Sequence, residues 1–102
     1  MLTACATEQT PTTFSDDAII IDVRSPQEFQ QGHIPGAILL PLDQLEYEIA
    51  YLVTAYDQSI YLYCQSGRRS AMALAILQDM GYTAVFDLGG IIDWVGELVI
   101  TD

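Results

Sequence analysis

The run Ala18–Val23 constrains the fold of this chain more than any other feature. Its sequence is Ala-Ile-Ile-Ile-Asp-Val, in which a single aspartate interrupts apolar and mostly β-branched residues. A run of this kind predicts a strand buried on both faces, which is typical of a parallel sheet. A short helix should follow, because Ser25 can cap a helix, Pro26 suits the first helical position and Glu28 favours the positive end. Gly32 is predicted to end that helix.

Strand and helix signals alternate along the rest of the chain. We predict strands over 37–40, 59–63 and 83–86, a turn at Gly89-Gly90, and helices over 42–55, 70–80 and 91–98. Such alternation predicts an α/β domain of three layers, with a mostly parallel central sheet and helices on both faces. A chain of 102 residues fits one domain, which we place at 18–102 after an irregular arm over 1–17.

The loop Cys64-Gln65-Ser66-Gly67-Arg68-Arg69 is predicted between a strand and a helix. In open α/β sheets, functional sites form at the carboxyl ends of strands. Gly67 lets the loop turn its backbone N–H groups inward, and the following helix adds its positive end. Arg68 and Arg69 add two full charges. Each of these features favours thiolate over thiol, so we expect a pKa for Cys64 below the reference value of about 8.5.

Other uses of a cysteine fit this sequence less well. The single histidine, His33, lies in another segment, which argues against a cysteine–histidine hydrolase. The chain has two cysteines, Cys5 and Cys64, which are far apart and lack metal-ligand spacing. We therefore expect no metal and no cofactor.

The charge balance excludes two classes of partner. The chain has fourteen acidic residues, three arginines and no lysine, which gives a formal net charge of -11. Nucleic acids and anionic membrane surfaces both reward dense positive charge, so neither is expected to bind. No apolar run approaches the length of a transmembrane segment. We expect a soluble monomer.

Three separated motifs show a resemblance to a known family. They are Asp22-Val23-Arg24-Ser25-x-x-Glu28-Phe29-x-x-Gly32-His33-Ile34-x-Gly36-Ala37, then Cys64-x-x-Gly67-x-Arg69-Ser70, and finally Gly81-Tyr82 with Leu88-Gly89-Gly90 and Trp94. Each motif resembles a signature of the rhodanese domain, and together they span about residues 18 to 96. Three motifs in the same order and at compatible spacing are specific evidence.

The resemblance implies a thiosulfate sulfurtransferase that alternates between free Cys64 and a Cys64 persulfide. Thiosulfate or a persulfide would be the donor, and cyanide, a thiol or a protein thiol would be the acceptor. It also implies that Arg69 points back toward the loop and that the backbone from Gln65 to Arg69 donates N–H groups to the sulfur. Ser66 and Ser70 are candidate hydrogen-bond donors to the bound anion, although Ser70 could instead be a helix cap. The residues Gln65, Ser66, Gly67, Arg68, Arg69 and Ser70 are thus the predicted substrate-binding set.

Four residues of the first motif are given structural roles. Asp22 and Glu28 could be catalytic acids or ligands, but the structural interpretation is preferred. Arg24 is expected to pair with a carboxylate and tie the first strand to its neighbours, and His33 to hold a turn.

Two alternatives to a free-standing sulfurtransferase stay open. The first is a non-catalytic persulfide carrier or sensing module, whose acidic surface would dock a basic partner protein. The second is a phosphatase, because cell-cycle phosphatases share the rhodanese fold. Their loops have one more residue between cysteine and arginine, however, whereas four residues separate Cys64 from Arg69. This shorter loop favours sulfur over phosphate.

The N-terminal sequence offers two hypotheses on localisation. Without a targeting segment upstream of Met1, we expect a cytoplasmic protein. However, Leu2-Thr3-Ala4-Cys5 resembles the lipobox of bacterial lipoproteins. If the true start lies upstream, the protein would be periplasmic or a cell-envelope lipoprotein anchored at Cys5.

Overall fold

The computed structural model describes residues 17–100, so the arm predicted over 1–17 lies almost wholly outside the described residues, as does Cys5. The described strands are β1 (Ile19–Asp22), β2 (Ile38–Leu39), β3 (Ile60–Cys64) and β4 (Val85–Gly90). The helices are α1 (Pro26–Gln31), α2 (Leu42–Leu52) and α3 (Arg68–Asp79), followed by a short 3-10 helix (Ile91–Asp93). No helix within residues 17–100 has the length and apolar character required to cross a bilayer.

The four strands form one parallel sheet in the order β2-β1-β3-β4. Asp22, the last residue of β1, lies opposite Tyr63, and Cys64 follows it as the last residue of β3. The chain segments that leave β1 and β3 therefore start side by side at the carboxyl edge of the sheet. The predicted α/β class and parallel sheet are confirmed.

Side chains of β1 and β3 alternate between the two faces of the sheet, as pleated strands require. On one face, Ile21 and Leu62 pack with buried residues of α2 and α3, such as Leu45 and Leu77. The opposite face has a smaller core of four buried residues, namely Ile20, Ile34, Tyr63 and Ile91. Burial on both faces explains why β1 is apolar up to its last residue, Asp22.

The start of α1 is determined by the local sequence. Ser25 caps the helix by accepting a hydrogen bond from the Glu28 N–H, and the Glu28 carboxylate accepts one from the Ser25 N–H in return. This reciprocal capping box satisfies two N–H groups that have no partner inside the helix. It also fixes the Glu28 carboxylate at the carboxyl edge of the sheet, beside the loop that follows β3.

The prediction of a helix over 91–98 is wrong. The helical segment is only the 3-10 helix, and Trp94 already has an extended backbone. Gly96 packs so closely on the indole of Trp94 that an added Cβ would lie 2.7 Å from its Nε1 atom. Val99 then forms an antiparallel bridge with His33. A segment of this length with a central glycine gains too little to offset the cost of helix nucleation.

The turn predicted at Gly89-Gly90 is also wrong, because both glycines belong to β4. The register between β3 and β4 shifts between Leu62 and Tyr63, and Gly89 has a φ of 85°. The strand therefore continues to Gly90, which lies opposite Cys64. Smaller differences affect α2, which ends at Leu52, and α3, which begins at Arg68.

Candidate active site

The strand β3 places Cys64 at the carboxyl edge of the sheet, where it has no exposed surface. Gln65, Ser66 and Gly67 connect it to α3. Gly67 has a φ of 102°, a left-handed conformation that glycine adopts without a steric penalty. This conformation reverses the chain within three residues and directs the start of α3 toward the sulfur.

The Cys64 sulfur receives backbone hydrogen bonds from the loop and from the first turn of α3. The Gly67 N–H donates to Sγ at 3.0 Å and the Ser70 N–H at 3.4 Å. The Ser70 hydroxyl lies 3.7 Å from Sγ and donates to the Gly67 carbonyl at 3.1 Å. Ser70 is buried inside α3, whose N-cap is Gly67, so Ser70 is not a helix cap.

This arrangement lowers the pKa of Cys64 below its ordinary value. Burial is the largest single influence and raises the pKa, because it removes the thiolate from water. The N–H and the hydroxyl of Ser70, followed by the N–H groups of Gly67 and Arg69, lower the pKa and together outweigh burial. No histidine base takes part. The lowered pKa increases the fraction of Cys64 that is thiolate, which is the nucleophilic form of a cysteine.

Gly90 determines how closely the loop packs against β4. A Cβ at this position would lie 2.7 Å from the Gln65 carbonyl oxygen and 2.9 Å from Ser66 Cα. Because Gly90 has ordinary strand angles, the close approach of the loop is the reason that only glycine fits. The sequence interpretation missed this role. The sequence did contain a signal for this role, because a glycine within a strand often marks a site where another backbone segment approaches closely.

Arg24 links β1 to the loop through a buried network. Its guanidinium donates to both carboxylate oxygens of Asp22, at distances from 2.7 to 3.0 Å. It also donates to Gln65 Oε1 at 3.0 Å and to the Gly32 carbonyl at 2.7 Å. Asp22 is fully buried and Arg24 is 3 % exposed, so each charge depends on the other for compensation.

Arg69 lies at the start of α3, where the resemblance implied a side chain that points back toward the loop. Its guanidinium donates to both oxygens of Glu28, at 2.8 and 2.9 Å. The hydrogen bond from Arg69 is the main reason that the pKa of Glu28 falls to about 2. Glu28 thus joins α1 to α3, and its charge cancels that of Arg69.

Three residues of the predicted site remain to be placed, namely Ser66, Arg68 and His33. Ser66 and Arg68 are exposed at the rim of the loop. His33 is buried, stacks on the Phe29 ring with centroids 3.6 Å apart, and has its Nδ1 atom 2.9 Å from the Phe29 carbonyl oxygen. These contacts place His33 at the end of α1 and away from the sulfur.

Comparison with known proteins decides the family. The sequence profile described as "Rhodanese-like domain" matches residues 8–97. The chain belongs to the rhodanese-like family. Among rhodanese structures, one described as "rhodanese with anions from E. coli" superimposes with a TM-score of 0.78 and 39% sequence identity. That superposition covers 82% of this chain and 99% of the other.

Two curated rhodanese relatives have names that state an activity. Thiosulfate sulfurtransferase PspE of Escherichia coli (strain K12) is 44% identical over 73 residues, which cover 72% of this chain and 70% of PspE. A protein named sulfurtransferase from Allochromatium vinosum is 38% identical over 81 residues, or 78% of this chain and 74% of that protein. This rhodanese domain therefore spans most of the length of these relatives.

Proposed function

We propose that this protein is a sulfurtransferase that moves sulfane sulfur through a persulfide on Cys64. The donor would be thiosulfate or a persulfide, and the acceptor a thiol or cyanide. The hydrogen bonds to the Cys64 sulfur carry this proposal, because they stabilise a thiolate without a base. The relatives named as sulfurtransferases support the same reaction class.

The proposed cycle has two displacement steps. In the first, the Cys64 thiolate attacks the outer sulfur of thiosulfate, a new S–S bond forms, the old S–S bond breaks, and sulfite leaves with the bonding electron pair. In the second, the acceptor attacks the outer sulfur of the persulfide. Cyanide then leaves as thiocyanate, or a thiolate leaves as a new persulfide, and the Cys64 thiolate is regenerated.

The loop has a defined task in both steps. The N–H groups of Gly67 and Ser70 hold the thiolate before attack and receive it again as the leaving group in the second step. Cys64 has no exposed surface, so a donor reaches its sulfur only when neighbouring atoms move aside. Gly67 and the exposed Ser66 belong to the short segment that such a movement would involve.

Mass spectrometry after incubation with thiosulfate tests the proposal. The protein should gain the mass of one sulfur atom, and cyanide should remove it with release of thiocyanate. Cys64→Ala should gain no sulfur, whereas Cys5→Ser, which removes the only other thiol of the chain, should behave like the parent protein. An unmodified parent protein after treatment with thiosulfate and with glutathione persulfide would refute the assignment.

A persulfide carrier that serves a partner protein is the second candidate, and one surface feature favours it. Ile92, Val95 and Ile100 are large apolar residues with exposed fractions of 65%, 85% and 75%. The Ile92 N–H reaches the Gln65 carbonyl at 3.4 Å, so this segment adjoins the loop. Slow turnover with thiosulfate and cyanide, combined with fast sulfur transfer to a protein thiol, would favour the carrier over the enzyme.

A further inference from the structure

The charges around Cys64 are more balanced than the sequence suggests. All three cationic side chains of the protein, Arg24, Arg68 and Arg69, lie near the loop. Two of them are neutralised, because the ion pairs that the structure shows within residues 17–100 are Arg24 with Asp22 and Arg69 with Glu28. Arg68, which is exposed, belongs to neither pair. Within the described part of the chain, Arg68 is therefore the arginine that no ion pair compensates.

Glu28 is held firmly in its position. Its Oε1 atom accepts hydrogen bonds from the Ser25 N–H at 3.0 Å and the Ser25 hydroxyl at 3.1 Å. Both of its oxygens also accept from Arg69 in a bidentate pair, the geometry in which arginine binds carboxylates most tightly. With a pKa of about 2, the carboxylate remains charged throughout the physiological range.

Arg69 would otherwise be well placed to bind an anionic donor. It lies in the first turn of α3, one residue before Ser70, whose N–H donates to the Cys64 sulfur at 3.4 Å. Its side chain is 37% exposed, so a ligand can reach it. Arg69 lines a cavity of about 410 Å³, while Glu28 lines a second cavity of about 220 Å³ together with Gln65. The two partners of this ion pair therefore line different cavities.

We propose that Glu28 is a specificity-determining residue, which occupies Arg69 and thereby tunes the site to sulfur donors that have one negative charge. Beside the loop, a dianion such as thiosulfate would meet the fixed Glu28 carboxylate and, among residues 17–100, one arginine outside the ion pairs, Arg68. A monoanionic donor, such as a thiosulfonate or an alkyl persulfide, requires no second cation. This inference rests on the proposed function and adds a substrate class to it.

Thiosulfate and methanethiosulfonate form a matched pair of donors for the test. Methanethiosulfonate replaces one charged oxygen of thiosulfate by a methyl group and has one negative charge. In both cases the Cys64 thiolate takes the outer sulfur and the S–S bond of the donor breaks, with sulfite or methanesulfinate as the leaving group. The intrinsic reactivity of each donor is the same for every variant, so a change in the ratio of kcat/KM between variants reports a change in charge preference.

Glu28→Gln removes the charge while it keeps the oxygen that completes the capping box, a position where glutamine also serves. Freed from its carboxylate, Arg69 gains one further unit-charge interaction with thiosulfate compared with methanethiosulfonate. At about 4 Å and the dielectric constant of bulk water, that interaction corresponds to roughly a fivefold change. We expect the kcat/KM ratio of thiosulfate to methanethiosulfonate to rise by about this factor, mainly through a lower KM for thiosulfate.

Glu46→Gln is the matched control, because Glu46 is exposed on α2 and its replacement changes the net charge of the protein equally. It should leave the donor ratio unchanged. If Glu28→Gln does not fold, as judged by circular dichroism, Glu28→Asp should shift the ratio in the same direction by a smaller factor.

The outcomes separate the two proposals. A persulfide on the parent protein with an unchanged donor ratio in the Glu28 variant would overturn the specificity role alone. An equal rise in the ratio for both glutamine variants would overturn it as well, since the effect would then belong to the net charge. Failure of the parent protein to accept sulfur from either donor would instead overturn the proposed function.

Discussion

Replacement of Gly90 by alanine should disable the loop by a purely steric route. The new Cβ would lie 2.7 Å from the Gln65 carbonyl oxygen and 2.9 Å from two backbone atoms of Ser66, whereas ordinary contacts begin at 3.4 Å. The loop must therefore retreat by about 0.5 to 0.7 Å, because these are backbone atoms that cannot rotate away. Overpacking of this kind typically destabilises a protein by about 1–3 kcal/mol.

The same displacement should affect the sulfur. The hydrogen bond from Gly67 to Cys64 Sγ is 3.0 Å long, and a retreat of the loop would lengthen it or misalign its N–H group. With less stabilisation of the thiolate, the pKa of Cys64 should rise. Because a hydrogen bond to a charged group contributes about 1.5 kcal/mol or more, we expect Gly90→Ala to form the persulfide roughly tenfold more slowly than the parent protein.

Gly89→Ala provides the matched control. Gly89 has a φ of 85°, and nothing lies within 4 Å of the Cβ that an alanine would add. The substitution should therefore destabilise the fold by about 1–2 kcal/mol through backbone strain, without contact with the loop. Urea denaturation followed by the fluorescence of Trp94, the single tryptophan, gives the stability, and the pH profile of iodoacetamide alkylation gives the Cys64 pKa.

The comparison of the two variants tests whether Gly90 positions the loop. Both should be less stable, but only Gly90→Ala should shift the alkylation profile to higher pH. Identical profiles for the two variants would refute the argument that Gly90 positions the loop.

Three further predictions concern single groups of the site. Ser70→Ala removes the hydroxyl 3.7 Å from the sulfur and should raise the pKa of Cys64, which the same alkylation profile would show. Arg24→Met leaves Asp22 as a buried and uncompensated charge, so urea denaturation should show a loss of about 3–5 kcal/mol, partly recovered when Asp22→Asn is added. Because folding lowers the pKa of Glu28 to about 2, its contribution to stability is present above the unfolded pKa and declines as the pH falls toward 2. Glu28→Gln should therefore flatten the acid limb of the stability profile, as measured by thermal unfolding between pH 5 and 2.

Much of this site was predictable because its determinants are local. The strand that ends at Cys64, the glycine of the loop and the helix that follows are contiguous in sequence. Their combination indicated a stabilised thiolate, and the structure shows the N–H groups that provide it. The capping box between Ser25 and Glu28 is equally local, since its partners are three residues apart.

Other predictions failed where a distant segment decides the outcome. The composition of 91–98 suits a helix, but Val99 instead pairs with the distant His33 in an antiparallel bridge. The pair Gly89-Gly90 suits a turn, but pairing with β3 extends β4 through both residues.

The sequence by itself determined the parallel α/β fold and the cysteine loop. The continuous apolar runs indicate buried strands, and the strand-loop-helix segment around Cys64 depends on short-range preferences of the backbone. Only the tertiary structure decided which charges meet. Arg69 and Glu28 are 41 residues apart, as are Arg24 and Gln65, and each pair forms because parallel strands bring the ends of β1 and β3 to the same edge. Local sequence could indicate that positive charge surrounds Cys64, but it could not reveal that Glu28 and Asp22 cancel most of it.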